Sequence, residues 1–97
     1  MPDQPAAEPI ARRVVVSGRV QGVGFRFSAQ DHAKSSGCLG WVRNLSDGDV
    51  EVWAEGPADV VEAMISWLRE GPAWARVEDL QITSETPEGH SRFQISR

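Results

Sequence analysis

Residues 12–36 have the sequence RRVVVSGRVQGVGFRFSAQDHAKSS, which joins a β-branched run, two close glycines and a helical pattern. The valines at 14–16, followed by turn residues, predict a buried strand over Arg12–Val20. Gly22 and Gly24 permit positive φ angles and a tight loop after that strand. The stretch therefore predicts a strand that leads into a helix through a glycine-bearing loop.

The helix predicted after the loop covers Phe25–Ser36. Phe25, Ala29 and Ala33 recur at four-residue spacing and share one helical face. Lys34 suits the negative end of the helix dipole, and Gly37 is a favourable residue just past the helix end. These features predict a helix with a narrow apolar face.

The next two strands are predicted to form an antiparallel hairpin. Residues 39–45, LGWVRNL, give the second strand, and residues 46–48, Ser-Asp-Gly, give the turn. Residues 50–55 alternate between small apolar side chains and the set Glu, Trp, Glu. Such alternation is typical of a half-solvated strand, so we expect the face that carries Trp53 to meet water.

A second helix is predicted between Gly56-Pro57 and Gly71-Pro72, since such pairs begin and end helices. Its apolar positions recur at i, i+3, i+4 and i+7 and are Val61, Met64, Ile65 and Leu68. Apolar residues at 77, 80 and 82 predict a fourth strand. Apolar residues at 93 and 95 predict a short fifth strand after a turn at 87–89.

The predicted order of elements is β-α-β-β-α-β with one terminal strand added. This is the pattern of the ferredoxin-like sandwich, an α+β fold in which two helices pack on one face of an antiparallel-type sheet. A chain of 97 residues suits one domain, which we expect to cover residues 11–97. Residues 1–10 contain three prolines and little periodicity, and we expect them to form a flexible N-terminal tail.

Composition limits the classes of partner and site. The net charge of −4 argues against a general nucleic-acid binder, although local positive charge would suffice for a small anionic substrate. Cys38 is the single cysteine, so neither an intramolecular disulfide nor a cysteine-rich metal site is possible. No apolar run approaches the roughly 20 residues of a membrane span, and the N-terminus lacks a signal-peptide pattern. We therefore expect a cytoplasmic protein that binds neither membrane nor nucleic acid. We also expect a monomer, although composition does not decide the oligomeric state.

Two segments with polar chemistry are predicted to meet at one edge of the sheet. The strands of a β-α-β unit are parallel, so the glycine loop after the first strand and Asn44 at the end of the second share an edge. Loop N–H groups and a helix N-terminus favour an anion, and Arg26 would add a planar cation that matches phosphate. Two alternatives stay open: Arg26 as a solvated surface residue, and Asn44 as a turn residue that bonds its own backbone.

Other phosphate and nucleic-acid motifs match poorly. The chain has no GxxxxGK[ST] sequence, and its loop lacks the third glycine of a dinucleotide-binding fingerprint. The spacing between Cys38 and Arg43 is too short for a cysteine-dependent phosphatase loop, so Cys38 is interpreted as a packing residue. The segment GVGFRF has some likeness to the RNA-contact segment of RRM domains, but it follows the first strand instead of lying on the third.

Residues 18–26, GRVQGVGFR, and residues 40–48, GWVRNLSDG, closely resemble the paired signatures of the acylphosphatase family. The likeness extends from Arg13 to Arg97. It implies a ferredoxin-like sandwich with the first strand central and the fifth strand at the sheet edge. It also implies hydrolysis of acyl phosphates to a carboxylate and inorganic phosphate, without metal or cofactor.

The resemblance assigns a role to each matched residue. Arg26 corresponds to the family's phosphate-binding arginine, and Asn44 corresponds to its water-orienting asparagine. Backbone N–H groups that would hold the phosphoryl oxygens belong to Gln21, Gly22, Val23, Gly24 and Phe25. Phosphoryl transfer depends mainly on positioning and charge stabilisation, so such a site needs no covalent nucleophile.

Three positions at or beside the motifs, Gly24, Phe27 and Leu45, are expected to affect acyl-group preference without touching the chemistry. His32, on the first helix, is interpreted as a surface or packing residue. A non-catalytic anion-binding or interaction module of the same fold is the alternative function. Phosphate binding without turnover would favour that alternative.

Overall fold

The structure is a computed structural model that describes residues 8–96. Its strands are β1 (Ile10–Arg19), β2 (Leu39–Asn44), β3 (Val50–Gly56), β4 (Arg76–Glu85) and β5 (Phe93–Ile95), and its helices are α1 (Phe25–Ser36) and α2 (Ala58–Glu70). The predicted order of elements is confirmed, and α1 has the predicted bounds. Neither helix is long and apolar enough to cross a membrane.

The boundary between the predicted tail and the domain falls close to the start of β1. That strand begins at Ile10, two residues before the predicted start, and Ile10 packs against the core. Residues 1–7, which make up most of the predicted tail, lie outside the described residues, as does Arg97. The division into a flexible tail and a domain over residues 11–97 therefore stays a prediction.

The sheet has the strand order β4-β1-β3-β2-β5. Since β1 and β2 both pair antiparallel with β3, they run parallel to each other, as expected for the two strands joined by α1. Strand β5 lies at one edge and pairs parallel with β2. The resemblance placed the first strand at the centre, whereas β1 is an interior strand and β3 occupies the middle position.

One layer of apolar side chains lies between the sheet and the two helices. The sheet contributes valines and the helices contribute one stripe each, in a single cluster that includes Val14, Val16, Val42, Val52, Phe25, Ala29, Ala33, Val61, Met64 and Leu68. Burying a Val, Leu or Met side chain stabilises the fold by about 1.5–3 kcal/mol. Because Phe25, the first residue of α1, belongs to this cluster, the core fixes the N-terminus of α1 against the sheet.

The prediction that one face of β3 meets solvent is wrong, because all seven residues of β3 are buried. Glu51 lies between two arginines on neighbouring strands, bonded by Arg43 Nε at 2.7 Å and approached by Arg13 Nη1 at 3.5 Å. Trp41 stacks beside Trp53 with ring centroids 6.2 Å apart, which leaves Trp53 only 6% exposed. Long side chains thus cover this face without a helix, and the aromatic side chain of β3 is buried instead of solvent-exposed.

Glu55, near the end of β3, holds the connection between β4 and β5. Its carboxylate accepts hydrogen bonds from the backbone N–H groups of Glu88 (2.9 Å), Gly89 (2.8 Å) and His90 (3.0 Å), and from Trp53 Nε1 (2.9 Å). Burial alone would raise the pKa of Glu55, but the four hydrogen bonds together hold that pKa below its ordinary value. This carboxylate is therefore a charged structural anchor.

Candidate active site

The loop between β1 and α1 depends on two left-handed glycines. Gly22 has φ 76° and Gly24 has φ 77°, and Gly24 also caps the N-terminus of α1. A Cβ at either position would meet no atom within 4 Å, so the backbone conformation, not space, is what favours glycine. Alternation of handedness along such a loop turns successive N–H groups toward a shared concavity.

The loop and the first turn of α1 leave a run of backbone donors free. Ser28 is the first residue whose N–H bonds back to the helix start, to Gly24 O at 3.0 Å. Among residues 8–96, the N–H groups of residues 22–27 find no acceptor. Free N–H groups at a helix N-terminus carry partial positive charge and favour an anion.

Gln21 ties this loop to the turn between β2 and β3. Its side-chain Nε2 donates to Leu45 O at 2.7 Å and to Asp49 O at 2.8 Å. Asp49 O also accepts the N–H of Leu45 at 2.8 Å. The Gln21 amide is therefore bonded to both backbone segments that close the turn after β2. The sequence predicted only a backbone role for Gln21, and the side-chain link to the strand that carries Asn44 is an addition.

A pocket of about 110 Å³ lies between this loop and the end of β2. It is lined by Val20, Gly22, Gly24, Phe25, Arg26, Phe27 and Asn44. The topological argument placed the glycine loop, Arg26 and Asn44 at one edge, and the structure places them around one pocket. Two of the predicted phosphoryl-binding residues are missing from the lining of the pocket: the side-chain amide of Gln21 points at the turn, and Val23 lines an adjoining groove. Their predicted role rests on their backbone N–H groups alone. The volume accommodates roughly three or four water-sized groups at about 30 Å³ each.

Asn44 is the last residue of β2 and faces the helix side of the sheet. Its Oδ1 is buried and has no hydrogen-bond partner among the described residues. The turn that follows is closed instead by Asp47, whose Oδ1 accepts the N–H of Asp49 at 2.9 Å. A buried acceptor without a partner costs about 1–3 kcal/mol, so Asn44 is suited to bind a water or ligand donor.

Arg26 lies in the first turn of α1 and is half-buried. No carboxylate in residues 8–96 forms an ion pair with it, and that first turn contains no acidic residue. A lone cation at a helix N-terminus is unfavourable by about 0.3–1 kcal/mol, and an anion bound there would offset the penalty. Arg13 and Arg43, in contrast, are paired with Glu51 on the opposite face of the sheet.

Neither Cys38 nor His32 is among the residues that line the pocket. Cys38 is buried, and that burial raises the pKa of its thiol to about 11, so it is a neutral packing residue at physiological pH. His32 stacks on Trp67 with ring centroids 5.2 Å apart, in agreement with its interpretation as a packing residue. Within residues 8–96, no group of three or more His, Cys, Asp or Glu side chains could hold a metal ion.

A glycine loop, a helix N-terminus and an arginine without an ion pair in residues 8–96 lie together on a ferredoxin-like sandwich, and such an arrangement suits a small α+β domain that binds phosphoryl groups. Comparison with known proteins narrows this class. The family model described as Acylphosphatase matches residues 12–95, and the chain belongs to the acylphosphatase family.

The relatives match nearly the whole chain. An acylphosphatase from Trichormus variabilis is 48% identical over 93 residues, which are 96% of this chain and 92% of that protein. The crystal structure of acylphosphatase from Bacillus subtilis has a TM-score of 0.88 and 39% identity, and the match covers 91% of this chain and 99% of that one. The structure of an acylphosphatase from Coxiella burnetii has a TM-score of 0.87 and 40% identity, over 91% of this chain and 93% of that one.

Proposed function

We propose that this acylphosphatase hydrolyses acyl phosphates to a carboxylate and inorganic phosphate in the pocket between the glycine loop and Asn44. The observation that carries the proposal is the meeting of three unsatisfied groups there. These groups, which have no partner within residues 8–96, are the backbone donors of residues 22–27, the Arg26 guanidinium and the buried Asn44 Oδ1. Each has the polarity that one part of the reaction requires.

The phosphoryl group is held by the loop and Arg26. Backbone N–H groups of the predicted segment, Gln21 to Phe25, and of the first turn of α1 donate to its oxygens. Arg26 adds a charge-assisted pair of hydrogen bonds, because its planar guanidinium matches two phosphoryl oxygens. In the transition state these equatorial oxygens carry more charge, so donors that are already in place stabilise the transition state most.

Asn44 positions the attacking water. Its Oδ1 accepts a hydrogen bond from the water and directs the water oxygen at phosphorus, in line with the departing acyl oxygen. A new P–O bond forms from the water, the bond between phosphorus and the acyl oxygen breaks, and its electron pair leaves with the carboxylate. An amide cannot remove the water's proton, and the resemblance implies that a phosphoryl oxygen of the substrate accepts it.

The positive charge in this site comes from the protein itself. Arg26 and the loop amides provide the stabilisation that metal ions provide in many phosphoryl-transfer enzymes. A carboxylate is a good leaving group, so no residue is required as a strong acid. We therefore propose that the reaction needs neither a metal nor a cofactor.

Hydrolysis of acetyl phosphate in the presence of a chelator tests this proposal. The wild-type protein is expected to turn over at the same rate with and without EDTA. Arg26→Ala is expected to lower kcat/KM about 10³-fold, which is the upper range for removal of a preorganised donor. Arg26→Lys keeps the charge but loses the planar guanidinium with its paired donors, so its kcat/KM should lie between those of Arg26→Ala and wild type.

Arg69→Ala is the matched control, because Arg69 is an exposed arginine on α2 outside the pocket. It should retain wild-type activity within twofold. Activity that EDTA removes, or equal turnover by Arg26→Ala and wild type, would contradict the proposal. Binding of inorganic phosphate without turnover by the wild type would favour a non-catalytic anion-binding module of the same fold. A monomeric state, a cytoplasmic location and the lack of nucleic-acid and membrane partners stay predictions.

A further inference from the structure

A second concave surface adjoins the phosphoryl pocket. It encloses about 460 Å³ and is lined by Arg19, Gly22, Val23 and Trp74. Gly22 lines both this groove and the smaller pocket, so the two spaces meet at the glycine loop. The groove is therefore the neighbouring concave surface available to the rest of a molecule whose phosphoryl group occupies the pocket.

The fold holds Trp74 at this position through the connection between α2 and β4. Gly71 begins that connection and lies so close to the start of α1 that a Cβ there would be 3.1 Å from Phe25 Cε2. Within the connection, the N–H of Ala75 donates to Pro72 O at 3.0 Å. The segment that carries Trp74 is thus packed against the same residue that anchors the N-terminus of α1.

Trp74 is the most exposed of the three large apolar side chains that face solvent in residues 8–96. It is 81% exposed, more than Phe27 at 69% or Ile82 at 42%. The other three tryptophans are buried or half-buried. Exposed apolar area beside a ligand pocket is typical of a binding surface, since covering an indole ring removes much apolar area from water.

We propose that this groove binds the acyl group of the substrate and favours aromatic acyl phosphates over small aliphatic ones. The inference rests on the proposed function, because it takes the phosphoryl group to lie in the adjoining pocket. An aromatic acyl ring in the groove stacks on the Trp74 indole and contacts the Val23 side chain. Arg19 lines the same groove and offers its guanidinium to the π face of such a ring.

Phe27 is the competing aromatic residue. It lies in the first turn of α1 and lines the phosphoryl pocket itself, beside Asn44. The sequence predicted an effect of Phe27 on acyl preference and gave no role to Trp74. The larger volume of the Trp74 groove, about 460 Å³ against about 110 Å³, favours it as the place for a ring.

The test is the ratio of kcat/KM for benzoyl phosphate to kcat/KM for acetyl phosphate, which cancels changes common to both substrates. In Trp74→Ala the ratio should fall about fivefold, which corresponds to about 1 kcal/mol of lost stacking. Trp74→Phe keeps a ring and should recover most of the wild-type ratio. Ile82→Ala removes an exposed apolar side chain from β4, outside both spaces, and should leave the ratio at the wild-type value.

Two results would overturn the inference while the proposed function stands. One is a wild type that hydrolyses both substrates with a ratio that Trp74→Ala leaves unchanged. The other is a fall of the ratio in Phe27→Ala but not in Trp74→Ala, which would place the acyl group against Phe27 in the smaller pocket. A wild type that hydrolyses neither substrate would overturn the proposed function and this inference together.

Discussion

Two loops of this molecule present a run of consecutive backbone N–H groups, but in residues 8–96 only one of the two runs is bonded to a carboxylate of the protein. The connection at residues 88–90 gives three N–H groups to the Glu55 carboxylate at 2.8–3.0 Å. The loop and helix start at residues 22–27 give theirs to no other residue in the described part of the chain. Both loops contain glycine at positive φ, so local conformation alone does not separate them.

The difference lies in the charges around each loop. Glu55 is 3% exposed, and its carboxylate occupies the space in front of the N–H groups of residues 88–90. We call Glu55 with residues 88–90 the structural clamp, and residues 22–27 the open loop. Residues 22–27 include a cation, Arg26, and no acidic side chain lies in the first turn of α1. A set of donors beside a cation, both without partners in the part of the chain that the structure describes, is suited to bind an external anion. A loop with a purely structural role would have a carboxylate of the protein bonded to its N–H groups, as in the clamp.

Among the variants that test this difference between the open loop and the clamp, Asn44→Ala is expected to lower kcat most. It removes the proposed water-orienting group and leaves the anion donors in place. The kcat for acetyl phosphate should fall about 10²–10³-fold, as when one positioned polar group is removed from an active site. Inhibition by inorganic phosphate should stay within about twofold of wild type, because the loop and Arg26 still hold it. Steady-state kinetics with phosphate as inhibitor provide both numbers. A variant that loses phosphate binding and kcat to the same degree would show that Asn44 belongs to the anion site instead.

Glu55→Ala is expected to lower stability and to leave catalysis almost unchanged, which is the opposite of Asn44→Ala. It leaves three backbone N–H groups and Trp53 Nε1 without their acceptor, and hydrogen bonds to a charged group are worth about 1.5–3 kcal/mol. The free energy of unfolding should fall by about 2–3 kcal/mol in urea titrations, with kcat/KM near wild type well below the midpoint. Glu88→Gln is the control, since its exposed pair with His90 should contribute less than about 1 kcal/mol. Loss of catalysis in folded Glu55→Ala would mean that the two loops are coupled.

Gln21→Ala sharpens the comparison by loosening the open loop without touching its donors. Losing the bonds to Leu45 O and Asp49 O should lower kcat/KM about tenfold, because small misplacements of positioned groups are costly. Inhibition by inorganic phosphate should weaken as well. Gln30→Ala removes a similar bond, from Gln30 Nε2 to Phe93 O at 3.2 Å, at a distance from the pocket. If both variants lose stability alike and neither loses activity, Gln21 has a structural role only.

The smallest expected effect is a change with pH in the stability that the Glu55 carboxylate contributes. The pKa of Glu55 is lowered in the folded protein, so the ionised form stabilises the fold at pH values above the ordinary glutamate pKa. That contribution is lost as the pH falls below the ordinary value and through the lowered folded value. The difference in Tm between wild type and Glu55→Gln should therefore be largest near neutral pH and shrink in this acid range. A difference that is constant down through that range would contradict the assigned charge state.

The sequence predicted the fold well because periodicity and turn residues agree along most of the chain. The bounds of α1 follow from Phe25 at the start and Gly37 beyond the end. Alternation in β3 was read correctly as a strand, but its solvent exposure was wrong. The pattern of one strand does not reveal that arginines and Trp41 on neighbouring strands cover the polar face.

The site was predicted in parts. Topology placed Arg26 and Asn44 at one edge, and the paired motifs supplied their proposed roles. The side-chain bonds of Gln21 and the position of Trp74 depend on tertiary packing between segments distant in sequence. No local pattern in residues 71–75 indicates that this connection packs against the start of α1.

The most direct test of the account follows the backbone amides by NMR while inorganic phosphate is added. The account predicts saturable shifts of the N–H signals of residues 22–27, with the signals of residues 88–90 unchanged. Arg26→Ala should abolish these shifts at the same phosphate concentrations. Phosphate that binds without moving the signals of residues 22–27, or that moves them equally in Arg26→Ala, would contradict the claim that the open loop and Arg26 form the phosphoryl site.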